Sequence, residues 1–406
     1  MLFKLAFRNI WRNKRRTLIT LCAVLFAVFL SSVLRSFQKG AWDNVFDKSI
    51  NLFFGYVQVH KQGFWDDQSI DNSFERIYEL EQTIHAIEGV DGIAPRLESF
   101  ALASAEEITH GVAVIGIDPK LENQLTGLSE KITNGKYLTA TGCIIAEGVA
   151  DKLKIGVGDT IVLISQGYHG ANAAGKYAID GLFKYALPDL NKTLVYLPLE
   201  SAQELYAADN RLTTIALNIQ KSQKVPGVVQ QLNNQLSSDE YEVMDYKELM
   251  PELMQARKLD EGGGFITIGI LYTLIAFAIF GTIIMMTQER QYEFGVLTSI
   301  GMGRAQLFGV TFVETVMIAL AGAILGILLA TPVVYYMHLN PLDLSAMGED
   351  ATAAFENFGM EAIVPAAFSF RVFMNQALVI FFITTLLGLF PLYKILKLNP
   401  VSAMRS

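Results

Sequence analysis

Cysteine is scarce: two in 406 residues, Cys22 inside an apolar run and Cys143 in a polar stretch. Neither has metal-site spacing, and their placement excludes a disulfide framework. The five histidines, His60, His85, His110, His169 and His338, are dispersed, and no hydrolytic triad motif, HExxH or paired CxxC is present. The chain is therefore read as a non-enzyme with no metal or cofactor of its own. Charge is also sparse within the long apolar runs, where Arg35 and Glu314 stand near the ends. Without a buried relay of acids and bases, a proton- or sodium-driven transporter is a poor fit. The nearest approach to a nucleotide site is Gly170-Ala171-Asn172-Ala173-Ala174-Gly175-Lys176-Tyr177. It has GxxxxGK, but Tyr177 stands where Ser or Thr would hold Mg²⁺, and a strand-like run follows where a helix is required. It reads as a polar hairpin loop.

What is present is apolar length. Half the residues are hydrophobic and the mean hydropathy is +0.33, a composition of a membrane protein with a large water-exposed part. Four runs suit membrane spans: 17–36, 265–287, 305–337 and 371–397, each near or above the length that crosses about 30 Å of hydrocarbon. Before the first, residues 1–16 carry six cations and no acid. Lys4, Arg8, Arg12 and Arg16 recur four apart, with Phe3, Phe7, Ile10 and Trp11 on another face, which predicts an amphipathic helix at a lipid interface. The run that follows lacks a small-residue cleavage site, so it is read as a retained span and not a signal peptide. Residues 37–264 hold 19 basic and 32 acidic side chains, a net of −13. The opposed charge places this segment outside and both termini inside, with an outer loop at 338–370 and a cytoplasmic tail at 398–406.

Within 37–264 the pattern alternates between strand and helix, predicting a mixed α/β extracytoplasmic domain of two subdomains. Strands are expected at Tyr56–His60, Gly111–Ile117, Cys143–Ala146, Thr160–Ser165, Thr193–Leu197 and Thr214–Ile219. Helices are expected around Ile77–Ile87, at Leu199–Ala207 and at Val225–Leu236. The domain leads through Gly262-Gly263-Gly264 into the second run, and three glycines cost about 1 kcal/mol each against alanine within a helix. They are candidates for a hinge in a stalk.

The segment 288–304 is the most informative. Glu289, Arg290, Glu293 and Arg304 are too polar for hydrocarbon, so the chain emerges between two spans for only a few turns. Glu289 and Glu293, four apart, share a helical face, and Gly301 and Gly303 permit a turn back. The expectation is a short surface helix that presents carboxylates to a partner. In the third run Glu314 lies one to two turns in, where it can pair with a neighbour, and Gly322 and Gly326 form a GxxxG pair that allows close helix contact.

Together Glu289-Arg290-(x2)-Glu293-(x)-Gly295-(x5)-Gly301-(x2)-Arg304, then Phe308, Glu314, Gly322 and Gly326, resemble the FtsX-like, macrolide-exporter and lipoprotein-releasing group of ABC transporter permeases. The basic start and the tail Asn399–Arg405 look like that family's ends. The resemblance implies that 288–304 is a coupling helix, with Glu289, Arg290, Glu293, Gly301 and Arg304 contacting a cytoplasmic ABC ATPase present in two copies. ATP and Mg²⁺ would be bound there and not on this chain, and motion would pass to the outer domain by mechanotransmission. A second permease copy or a paralogue completes such an assembly. Gly111–Pro119, Ile144–Thr160, Gly181–Phe183 and Tyr196–Leu205 look most like lipoprotein-releasing (LolC/LolE-type) permeases of the bacterial inner membrane. In those, a hairpin after the Gly-Asp strand recruits a periplasmic carrier; Gln166, Tyr168, His169 and Lys176 are the matching candidates. The alternatives implied are efflux of a peptide or drug, and signalling to a cell-wall hydrolase. Membrane lipid is an expected partner and nucleic acid is not.

Overall fold

The computed structural model describes residues 2–12, 14–185, 188–344, 348 and 363–396. The tail and most of the outer loop, including Glu349, Asp350, Glu356 and Glu361, lie outside the described residues. Two compact units are present, one from Met1–Asn44, Ala256–Asp343 and Ile363–Ser406, the other from Val45–Gln255 and Leu344–Ala362.

The first unit is helical. A short amphipathic helix, Leu2–Arg12, precedes four helices long and apolar enough to cross a membrane. In such helices every backbone group is satisfied within the segment, which hydrocarbon demands. Lys14–Ser49 forms one helix of 36 residues, well past the expected end at 36. Pro251–Glu289 begins before the expected start at 265 and continues through Gly262, Gly263 and Gly264 without interruption. Arg304–Leu339 follows expectation closely. The fourth run divides into Phe370–Leu387 and Phe390–Leu396. Pro391 explains the division, since its ring clashes with the carbonyl four residues earlier, that of Leu387.

The GxxxG pair is the seam between the first and third spans. A Cβ at Gly322 would lie 2.8 Å from Val24 Cβ, and one at Gly326 2.7 Å from Val28 Cβ. Any side chain there would push the helices apart, so the glycines set the approach. Val24, Ala27 and Val28 are buried in the same cluster as Ile279, Ile283, Ala323, Ala377 and Ile380, which draws on all four spans.

The second unit is built on one mixed sheet. Its strands are β1 (Val57–Lys61), β2 (Phe74–Glu75), β3 (Val90–Ala105), β4 (Ile108–Ile117), β5 (Ile132–Gly135), β6 (Cys143–Ala146), β7 (Thr160–Gln166), β8 (Asn172–Phe183), β9 (Leu194–Pro198), β10 (Arg211–Leu212), β11 (Thr214–Ile219) and β12 (Tyr241–Asp245). The main sheet runs β12-β1-β11-β3-β4-β9-β6-β8-β5, with β7 bridging β3 and β8, while β2 and β10 form a separate pair. The two expected subdomains are not separate bodies, because one sheet runs through the whole unit and the long strand β3 joins its parts. Residues Val90–Arg96 of β3 pair with β11, and Leu102–Ser104 pair with β7. One continuous hydrophobic cluster runs beneath these parts.

Two local expectations change. β3, the longest strand, was not anticipated, because Gly92, Pro95, Arg96 and several alanines give it weak strand propensity. The hairpin loop expected to carry Gln166 to Lys176 is shorter than that span. β7 and β8 pair as far as Gln166 and Asn172, so Lys176 sits in the ladder opposite Val162.

Candidate functional site

Glu293 lies on the helix Gln291–Ser299, which fills the expected coupling segment between the second and third spans. Arg290 is its N-cap residue, following directly on the second-span helix that ends at Glu289. The helix stops where Gly301 takes φ +103°, a conformation that L side chains rarely adopt, and the chain re-enters a helix at Arg304. Arg304 Nη1 donates to the Leu396 carbonyl at 3.0 Å, fixing this turn to the end of the fourth span.

Four charges then alternate in a row. Arg12 pairs with Glu293, Arg290 Nε lies 3.6 Å from Glu293 Oε2, and Arg290 Nη1 donates to Glu314 Oε2 at 2.7 Å. The inner pair is buried, with Arg290 at 6 % and Glu314 at 2 % exposure, whereas the Glu293 side chain is 41 % exposed. The row thus begins in solvent and ends inside the helix bundle. The Phe294 ring lies 5.5 Å from the Arg290 guanidinium and is itself buried with Leu307 and Ile395. An intervening helix anchored by a buried ion pair, an arginine–aromatic contact and a shared apolar cluster is held firmly to the spans beside it. Glu289, at the preceding helix end, and Glu293 are the carboxylates on this segment.

A second polar cluster joins the first and second spans near Gly264. Asp260 accepts from Trp42 Nε1 at 2.7 Å and from Gln38 Nε2 at 2.8 Å, while Arg35 donates to Gln38 Oε1 at 2.9 Å and covers the Phe265 ring. The three glycines differ here. A Cβ at Gly264 would fall 2.3 Å from Gln38 Nε2, whereas Gly262 and Gly263 have nothing within 4 Å. A side chain at 264 would have to displace the Gln38 amide from Asp260, whereas one at 262 or 263 meets nothing.

In the α/β unit the candidate hairpin residues separate. Gln166, His169 and Lys176 are exposed, but Tyr168 is half-buried under the Arg211 guanidinium, 4.4 Å from its ring. Tyr168 is therefore not exposed as the other three are. His169 takes a left-handed φ of 50°, and its N–H donates to Asp71 Oδ1 at 2.7 Å. Gly170–Tyr177 contains a turn followed by a strand, the reverse of a phosphate-binding strand–loop–helix.

Sequence reading missed an ion pair in the core of this unit. Asp118 caps the helix Pro119–Thr126 through the Lys120 and Leu121 amides, which places Glu122 over β3. Arg96 Nε and Nη2 then donate to its two oxygens at 2.8 and 2.7 Å, and both side chains are fully buried. Asp118-Pro119 signals the cap, but only the sheet reveals the partner. His60 is buried beside it, Nδ1 within 3.1 Å of the Thr213 carbonyl, and burial pushes its pKa down to about 4. Among the described residues no group of three or more His, Cys, Asp or Glu is placed to hold a metal.

Four membrane-crossing helices, a short charged helix between the second and third, and an α/β unit inserted after the first define a multi-pass permease. The chain belongs to the FtsX-like and MacB-like family of ABC transporter permeases: residues 17–235 match the MacB-like periplasmic core domain and residues 265–400 the FtsX-like permease C-terminal region. It is 22 % identical over 317 residues to the lipoprotein-releasing system transmembrane protein LolC of Neisseria meningitidis, covering 74 % of this chain and 73 % of that protein. An uncharacterized ABC transporter permease of Methanocaldococcus jannaschii is also 22 % identical, over 67 % of this chain and 63 % of its own length. Among solved structures, the periplasmic region of MacB from Actinobacillus actinomycetemcomitans aligns with 11 % identity and a TM-score of 0.36, covering 52 % of this chain and 98 % of that one. The extracellular domain of YknZ from Gram-positive bacteria aligns with 14 % identity and a TM-score of 0.34, over 47 % and 100 %.

Proposed function

We propose that this permease is the membrane subunit of an ATP-driven machine that releases lipoproteins from the outer leaflet of a bacterial inner membrane. The observation that carries the mechanical part is the charge row Arg12–Glu293–Arg290–Glu314, which fastens the Gln291–Ser299 helix to the third span through a buried ion pair. A helix so fastened transmits a push instead of folding under it. In this reading Glu289, Glu293, Gly301 and Arg304 form the contact with a separate cytoplasmic ATPase, two copies of which bind ATP and Mg²⁺, whereas Arg290, expected among them, is buried against Glu314 and holds the segment from behind. Both termini are cytoplasmic and the α/β domain periplasmic, in keeping with the basic start and the acidic domain.

The cargo assignment is supported by the likeness to LolC over nearly three quarters of each chain. A second permease copy or a paralogue would complete the substrate cavity, and Gln166, His169 and Lys176, with Tyr168 beneath them, would present the hairpin to a periplasmic carrier. The continuous Pro251–Glu289 helix serves as the stalk, with Gly262 and Gly263 as its point of bending. Purification of the tagged chain in gentle detergent tests the whole. A co-purifying ATPase with lipoprotein is expected; an ATPase with a soluble hydrolase would favour signalling, and no ATPase would remove the coupling assignment.

A further inference from the structure

The Leu2–Arg12 helix has three distinct sectors. At 3.6 residues per turn, Phe3, Phe7 and Trp11 form one stripe, and Lys4, Arg8 and Arg12 form the next stripe round. Ala6, fully buried, marks the third sector, with the partly buried Asn9 and Ile10 beside it, and the helix packs on the third-span helix Arg304–Leu339. Phe3, Phe7 and Trp11 are 69, 55 and 59 % exposed, a concentration of bare aromatic surface that a helix in water does not sustain. Lys4 and Arg8 are exposed beside it, and the helix leads through Lys14 and Arg15 directly into the first span. Lys14 Nζ lies 5.5 Å from the Trp11 ring, placing cation and aromatic at one depth.

We propose that this helix is a binding surface for anionic phospholipid, its aromatic stripe lying among acyl chains and Lys4 and Arg8 holding the headgroup phosphate. The occupant follows from the pairing of sectors. Aromatic rings belong at the hydrocarbon boundary, and although every phospholipid offers a phosphate, the net charge of an anionic headgroup, uncancelled by an ammonium, attracts a basic stripe more strongly than a zwitterionic one does. Arg12, at the end of the basic stripe, is paired with Glu293. The headgroup-facing stripe thus terminates on the segment between the second and third spans, so that lipid charge and the position of that segment are linked. This inference does not depend on the cargo or on an ATPase.

The test uses Trp11 as its reporter. The full chain has three tryptophans, and Trp42→Phe with Trp65→Phe leaves Trp11 alone. Reconstituted into phosphatidylcholine vesicles containing one quarter phosphatidylglycerol, Trp11 is expected to be quenched at least about twofold more by brominated phosphatidylglycerol than by an equal fraction of brominated phosphatidylcholine. Lys4→Gln with Arg8→Gln should remove that preference while leaving quenching by either lipid, and raised salt should weaken it. Equal quenching by the two lipids in the parent overturns the proposal. So does absence of quenching by both, which would assign the stripe to a protein partner. If the tryptophan variant does not fold, lipids retained by the unmodified chain decide: Lys4→Gln with Arg8→Gln must lose bound phosphatidylglycerol relative to the parent, and unchanged retention overturns the proposal.

Discussion

The Arg290 guanidinium reaches 24 residues ahead to the Glu314 carboxylate, at 2.7 Å, and this contact ties the end of one span to the interior of the next. Glu314 Oε1 and Arg290 Nε are buried without a hydrogen bond, so each charge depends heavily on the other. Removing one partner of such a pair costs about 3–5 kcal/mol, because the survivor is left buried and uncompensated. Arg290→Ala should therefore lower thermal stability in detergent sharply. Arg290→Met with Glu314→Leu should recover most of the loss, since no charge is stranded. Equal melting of Arg290→Ala and the parent would show that water already compensates Glu314.

Arg12 and Glu293 present the opposite case. Their side chains are 55 and 41 % exposed, where an ion pair contributes under about 1 kcal/mol. Glu293→Lys should leave stability nearly unchanged and act on function, and with Glu289→Lys it replaces both carboxylates of the segment with bases. Loss of the co-purifying ATPase at normal expression is the expected outcome. Retention of the ATPase by the double variant would remove these carboxylates from the contact.

The parts legible in the sequence are those in which local pattern decides. The spans followed from apolar length, the short segment between the second and third from four charges that hydrocarbon rejects, and Gly322 and Gly326 from a spacing that places both on one helix face. The first-span helix runs beyond its expected limit because amphipathic turns continue a helix after hydropathy falls. β3 escaped because burial on both sides, and not propensity, makes a strand of a segment holding Pro95 and Arg96. Arg96 and Glu122 are 26 residues apart and belong to different elements, so no spacing rule links them. The same holds for Gln38 and Gly264, whose contact sets one of three successive glycines apart in a way that the run alone did not reveal.

The glycines therefore should not respond alike. Alanine at 262 and 263 meets open space and removes helix-weakening residues, so Gly262→Ala with Gly263→Ala should raise stability by about 1–2 kcal/mol. If these two positions bend during the proposed cycle, the proposed ATP-driven release should fall at the same time. Full release with raised stability would eliminate the hinge. Gly264→Ala must swing the Gln38 amide away from Asp260 and should therefore gain less than the other two, and adding Gln38→Ala should remove that difference.

His60 is neutral and buried, stacked on Phe64 with ring centroids 5.2 Å apart, and its Nε2 lacks a hydrogen bond. Burial lowers its pKa to about 4, helped by the nearby Arg96 charge, against about 6.5 in an unfolded chain. Between those two values the unfolded chain takes up a proton that the folded one refuses, so the folded state loses stability as pH falls from about 6.5 to 4 and no further below. The full loss is on the order of 3 kcal/mol. Urea unfolding in mild detergent of the full chain carrying Trp11→Phe and Trp42→Phe, followed by emission of Trp65, 5.7 Å from the imidazole, should show a midpoint that drops between pH 7 and 4.5. In His60→Phe, which keeps the ring and cannot titrate, the drop should be clearly smaller. A slope identical to the parent's would assign the acid sensitivity to other groups and leave His60 a purely packing residue.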